Sequence, residues 1–262
     1  MNLLVANDDG VEDRGIWTLA EQLTAIGKVS LYAPVRNYSG AGMSVSLRKT
    51  FDLHPCHVPH GFCLDIPAFS IEAPPATVVS IGTAHAFNGD THAVISGINS
   101  GWNPGTEAYR TSGTVGAARV AVEQGLLGIA ISAPFDDRDA YPAIAQATRH
   151  MLISIQERFN PLPNVLINVN VPANFSAETP VRLASPGPFT LFSDLVLTTS
   201  RVETGKTSVR LNYGDYFSSG SQPGDELSAL ADGMAAVSVT GSAPSSILLD
   251  HPWPAIAADF RP

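Results

Sequence analysis

From Leu3 to Val171, short apolar runs alternate with stretches of helical spacing, and this alternation does most to narrow the fold. Residues 3–6, 29–33, 93–95, 127–131 and 165–171 are largely apolar and strand-sized, as strands covered on both faces are. Between them, Ile16, Leu19, Ala20, Leu23 and Ile26 recur on one helical face, closed by Gly27. Residues 75–87 and 114–124 are helix-length, and Ile144, Ala147, Met151 and Ile155 mark the face of a longer helix. Strand, helix and strand in regular succession predict an α/β fold. Its sheet is mostly parallel, with right-handed crossovers and helices on both faces.

The pattern changes near Pro172. Residues 191–199 and 208–213 read as two strands of a long hairpin around Glu203-Thr204-Gly205-Lys206. Residues 215–225 have a loop composition, 235–240 form a late strand, and the tail is rich in Pro and Ala. The chain therefore divides into a core over 1–178 and a hairpin with a C-terminal extension over 179–262. An isolated hairpin is marginal in water, so this one is expected to pack on a second copy of the chain.

Chemistry concentrates where the strands end. Asn7-Asp8-Asp9-Gly10 follows the first strand directly, and in an open α/β sheet that rim binds ligands. Adjacent carboxylates repel, so the pair calls for a cation or a proton, and hard oxygen donors suit Mg²⁺, Mn²⁺ or Ca²⁺. An Asp-Asp-Gly turn is the bland alternative. Beyond the second strand lies Tyr38-Ser39-Gly40-Ala41-Gly42-Met43-Ser44, whose hydroxyls at Ser39 and Ser44 can bind an ion or a ligand. Beyond the third lies Ser96-Gly97-Ile98-Asn99, continuing to Asn103 and Gly105, where Asn99 offers a neutral amide oxygen. Ser112-Gly113-Thr114 enters a helix, either as a simple cap or as a cradle of free amides for a phosphate.

Other classes are less compatible with the sequence. The 262 residues carry a net charge of −9, which argues against nucleic acid as a main partner. No basic region followed by an apolar secretory run opens the sequence, and no stretch approaches the roughly 20 apolar residues that span a bilayer, so a cytoplasmic location is expected. Cys56 and Cys63 stand among His54, His57 and His60, which invites a zinc reading. Neither Cys-x-x-Cys nor His-x-x-x-His spacing is present, and a hairpin with strands over 51–57 and 62–66 is preferred.

At these residues the chain resembles the SurE family, the stationary-phase survival proteins that are divalent-metal-dependent 5′/3′-nucleotidases. The resemblance rests on Asn7-Asp8-Asp9-Gly10, Ala33-Pro34 with Arg36, Ser39-Gly40, Ser96-Gly97-Ile98-Asn99 with Gly101, Asn103 and Gly105, Ser112-Gly113-Thr114-Val115, and residues 167–172. It covers about two thirds of the chain in the family's order. It implies a Rossmann-like three-layer sandwich, a swapped hairpin or C-terminal arm, and dimers or tetramers. It also implies one Mg²⁺ or Mn²⁺ per subunit held by Asp8, Asp9, Ser39 and Asn99. Within the same motifs Asn7, Ser44, Asn103, Ser112, Gly113 and Thr114 are the candidates for gripping the substrate. The chain departs from the family at Val35, where an acid is expected, at Ala73-Pro74-Pro75-Ala76-Thr77, and at Thr111, near a one-residue insertion.

The reaction implied is hydrolysis of a nucleoside monophosphate or other small phosphomonoester by metal-activated water, with Asp8 or Asp9 orienting that water. A receiver domain needs a phosphoacceptor Asp at a later strand end, which here reads Ser96-Gly97-Ile98-Asn99 with no acid, and a haloacid-dehalogenase phosphatase needs Asp-x-Asp-x-Thr rather than adjacent acids. A weakly active or inactive nucleotide-binding scaffold is the remaining alternative.

Overall fold

The computed structural model describes residues 1–135, 137–188, 196–201, 207–212 and 220–241. In chain order these form β1 (Asn2–Ala6), α1 (Arg14–Leu23), β2 (Lys28–Pro34), β3 (His54–Pro55), β4 (Ala68–Ile71), α2 (Pro75–His85) and β5 (Ala93–Ser100). There follow α3 (Gly105–Thr111), α4 (Gly113–Glu123), β6 (Leu127–Ala133), α5 (Tyr141–Arg158), β7 (Val165–Asn170) and β8 (Val181–Leu183). The last are β9 (Val196–Arg201), β10 (Thr207–Asn212), α6 (Glu226–Ala231) and β11 (Ala235–Gly241).

One nine-stranded sheet runs in the order β3-β4-β2-β1-β5-β6-β7-β11-β8. From β4 to β7 all neighbours are parallel, and the register sets Leu31, Val5, Ile95, Ile129 and Ile167 in one apolar row across the sheet. Alternation along β1 divides the core in two. Leu3 and Val5 pack with Ile16, Leu19 and Leu23 of α1 and with Ile144 and Ile155 of α5. Leu4 and Ala6 pack with Val78 and Val79 of α2 and with Ala117 and Ala121 of α4. The result is the expected three-layer α/β sandwich. Each large aliphatic side chain so buried contributes about 1.5–3 kcal/mol.

Local chemistry sets the helix starts. The Asp13 carboxylate accepts from the Gly15 N–H at 2.7 Å, Ser112 caps α4, and Pro75 opens α2 where no backbone donor is required.

Three expectations change. Residues 62–66 are not a strand; β3 covers only His54–Pro55 and pairs antiparallel with β4 instead. Pro55, Pro59 and Pro67 lack backbone donors, which prevents a longer ladder there. The third strand runs five residues past Ile95, to Ser100. The segment beyond residue 178 is divided: β8 and β11 join the sheet, β11 antiparallel to β7, while β9 and β10 form an antiparallel ribbon. Of the hairpin predicted over 191–213, residues 191–195, 202–206 and 213 lie outside the described residues, as does the tail after Asp250. Among the described residues no helix is long and apolar enough to cross a membrane.

Candidate active site

β1 stands between β2 and β5, so the chain leaves it in one direction and later returns on the other side. Such a switch point opens a crevice at the carboxyl ends of the strands. Parallel pairing of Ala6 with Ser96 brings Asn7-Asp8-Asp9 and the end of β5 out on the same rim. The loop after β2 is tied to it by the Tyr38 N–H, which donates to the Asp8 carbonyl at 2.7 Å.

Asp8 is buried, and the Thr114 hydroxyl donates to its Oδ1 at 2.5 Å. Burial raises its carboxyl above the usual range, while the Thr114 hydroxyl and backbone N–H pull the other way. Asp9 accepts from the Asn37 amide at 2.8 Å and from the Ser100 N–H at 3.2 Å. Burial first, and the neighbouring Asp8 charge second, push its carboxyl up to about 7. A buried and a half-buried acid so placed cannot both be charged cheaply without a cation near them.

The neutral donors sit on segments hydrogen-bonded to Asp9, Ser39 through Asn37 and Asn99 beside Ser100. The Asn99 Nδ2 donates to the Gly101 carbonyl at 2.6 Å, which fixes the amide's orientation and leaves Oδ1 as the atom for an ion. Ser39 is exposed on the loop, and its N–H donates to the Asn37 Oδ1 at 2.8 Å, so Asn37 bridges Ser39 to Asp9. Among the described residues no three His, Cys, Asp or Glu side chains gather as a metal site, neither here nor around Cys56 and Cys63, which are free thiols. The oxygens this rim offers an ion are those of two carboxylates, with hydroxyl and amide oxygens on the neighbouring loops, a donor set that fits Mg²⁺ or Mn²⁺.

Close approach explains two glycines. A Cβ on Gly113 would stand 2.7 Å from both the Cβ and the Oδ2 of Asp8, so only glycine lets α4 begin against that carboxylate. Gly42 has φ +56°, and a Cβ there would meet the Arg110 carbonyl at 2.4 Å. Its N–H donates to the Thr111 carbonyl at 2.9 Å, clamping the Ser39 loop to the end of α3.

The remaining predicted residues occupy several positions. Asn7 is wholly buried, and its amide bonds both the carbonyl and the N–H of Gly10, so it closes the acidic turn. Ser112 Oγ accepts from the Val115 N–H at 3.1 Å, the cap reading of that residue. Ser44 is exposed farther along the loop, its carbonyl accepting from Thr77, and Asn103 is bonded to Ser132, Asn168 and Asn170. Among the described residues neither Ser44 nor Asn103 shares a hydrogen bond with Asp8 or Asp9. Sequence reasoning missed Asn37, which reads as an ordinary turn residue, and Glu226, which reads as an acid in the first turn of a helix.

The family model of the survival protein SurE matches residues 3–188. The chain belongs to the SurE family. Among SurE relatives, a protein of Chloroflexus aggregans named 5′-nucleotidase SurE is 38% identical over 176 residues, covering 66% of this chain and 67% of that one. A protein of Legionella pneumophila with the same name is 38% identical over 173 residues, covering 66% and 64%. The chain thus spans about two thirds of the length of these relatives. The crystal structure of the SurE protein from Aquifex aeolicus superposes with a TM-score of 0.73 at 22% identity, over 97% of this chain and 100% of that one, which establishes the shared fold.

Proposed function

We propose that the chain is a divalent-metal-dependent phosphomonoesterase that hydrolyses nucleoside 5′- or 3′-monophosphates to nucleoside and phosphate. The observation that carries this reading is the adjacent Asp8–Asp9 pair at the switch point of the sheet, Asp8 buried and Asp9 half-buried, both raised in pKa by burial first. The relatives named 5′-nucleotidase supply the substrate class. Asp8, Asp9, Ser39 and Asn99 would hold one Mg²⁺ or Mn²⁺. When bound, that ion neutralises phosphoryl charge and lowers the pKa of a water molecule.

The chain's own groups orient the rest. The start of α4 presents positive dipole to the phosphate, with the Thr114 hydroxyl holding Asp8 in place. Asn7 keeps the acidic turn closed. Ser44 follows β2 and Asn103 follows β5, the two strands that flank β1, and both are assigned to the substrate. Water oxygen forms the new bond to phosphorus as the ester P–O bond breaks. The water's proton passes to Asp9 or Asp8, and the departing alkoxide takes a proton from solvent. The working form is a homodimer or tetramer.

Phosphate release from nucleoside monophosphates, measured with Mg²⁺, Mn²⁺ or excess chelator, tests the reading. Activity should require the metal. Asp9→Asn should lower it by more than the roughly 10–100-fold that loss of an outer partner of a metal ligand costs. Full activity in chelator, or in Asp9→Asn, would sink the assignment. Tight nucleotide binding without turnover would instead favour the scaffold alternative.

A further inference from the structure

The carboxylate of Glu226 is wholly buried at the start of α6 and has no part in the reaction above. Three donors converge on it. The Gly105 N–H reaches Oε2 at 2.5 Å, and the Asn168 Nδ2 and Ser238 Oγ reach Oε1 at 2.9 and 2.5 Å. Among the described residues Glu226 makes no ion pair with a cationic side chain. A buried acid is costly to keep, and burial pushes this one up to about 7.

Two of its partners bear on the turn that carries Asn103, Gly105 from within it and Asn168 from β7, while Ser238 stands on β11. Gly105 closes that turn and opens α3. The Asn168 amide that donates to Glu226 also donates to the Asn103 carbonyl at 2.9 Å. The Asn168 Oδ1 has no partner among the described residues, so the two acceptors it serves set the orientation of this amide. Asn170 holds Asn103 by its N–H at 2.7 Å and by its carbonyl at 3.3 Å, and the Asn103 side chain donates to Ser132 at 2.9 Å. Asn168 and Asn170 thus act on Asn103, and Glu226 acts on Gly105, within one short turn. An amide N–H and an NH₂ group can only donate, so both oxygens of residue 226 must accept. A carboxylate meets that demand and a carboxamide does not.

We infer that Glu226 is a positioning residue for the substrate end of the site, fixing the turn through Gly105 and Asn168 and so setting where Asn103 meets the nucleoside monophosphate. This rests on the phosphomonoesterase reading and on Asn103 as a substrate contact. Glu226 itself touches no substrate. Replacing it by Gln turns an NH₂ against one of two donors and loosens the turn, while the metal ligands stay in place.

The test uses the full chain with Mn²⁺ and adenosine 5′-monophosphate, comparing wild type, Glu226→Gln, Asn103→Ala and the double variant. Misplacing one substrate contact should raise KM about tenfold in Glu226→Gln, with kcat little changed. Mn²⁺ affinity by calorimetry should match wild type. The double variant should be no worse than Asn103→Ala alone, because both changes act on one contact. If the Gln variant does not fold, Glu226→Asp, which keeps two acceptors but withdraws them, should show a smaller rise of the same kind. An active wild type whose Gln and Asp variants keep its KM overturns this inference alone, as do effects that multiply in the double variant. A wild type without phosphatase activity overturns the broader reading together with it.

Discussion

Replacing Asp9 by Asn should stabilise the metal-free protein while it abolishes turnover. Burial, and then the charge of Asp8, lift the Asp9 carboxyl from 3.8 to about 7. Between those values the folded protein holds a proton that the unfolded chain has released. The stability contributed by the protonated form is therefore full below about pH 4 and is lost as pH rises through about 7. About three pH units at roughly 1.4 kcal/mol each make the loss about 4 kcal/mol. An opposing cost comes from the bonds Asp9 accepts from Asn37 and Ser100, since one asparagine oxygen serves only one of them well. That costs about 1 kcal/mol, leaving a net gain of about 3 kcal/mol near pH 8 and a slight deficit near pH 4. Urea unfolding in EDTA at both pH values, at one protein concentration, measures it. Mn²⁺ at a thousand times Kd should reverse the order, because wild type gains about 4.1 kcal/mol there and the variant gains little. An Asn variant no more stable than wild type near pH 8 in chelator would show that the pair is not electrostatically strained. The main physical argument for a cation at this rim would then fall.

Further perturbations probe the same frame. Asn99→Ala should weaken Mn²⁺ binding in a calorimetric titration while leaving thermal unfolding in chelator nearly unchanged; unaltered binding would reduce Asn99 to a turn residue. Gly113→Ala places a methyl 2.7 Å from the Asp8 Cβ and Oδ2, so the carboxylate or the first turn of α4 must move, and both metal affinity and turnover should drop together. Wild-type metal affinity in that variant would show that Asp8 is not a ligand. Val196, Leu197 and Val209 are 59%, 61% and 57% exposed on the β9–β10 ribbon, more apolar surface than a two-stranded ribbon keeps in water. Deleting residues 191–213 should give a monomer or an insoluble protein, and a wild-type chain that scatters light as a monomer at micromolar concentration would refute the pairing.

What could be read from the sequence follows from how local each signal is. Parallel strands covered on both faces are continuous apolar runs, so β1, β2, β5, β6 and β7 were visible one by one, and their alternation with helices gave the layers. The place of β11 between β7 and β8 was not visible, because sheet order is a choice among distant partners and 235–240 carries no mark of its neighbour. The region 51–66 misled for a different reason: its apolar spacing suits a hairpin, but its prolines withhold the donors a ladder needs. The site divides in the same way. Asp8 and Asp9 could be recognised as a charged pair because the peptide bond between them guarantees their proximity, whatever the fold. Asn37 reaches Asp9 across 28 residues and looks like any other turn amide. Glu226 meets Gly105 across 121 residues, and at the start of a capped helix an acid is what surface electrostatics alone would favour. Its burial gives that acid a different meaning, and one of the donors that meet it there, Ser238, comes from strand β11, the element whose position the sequence left open.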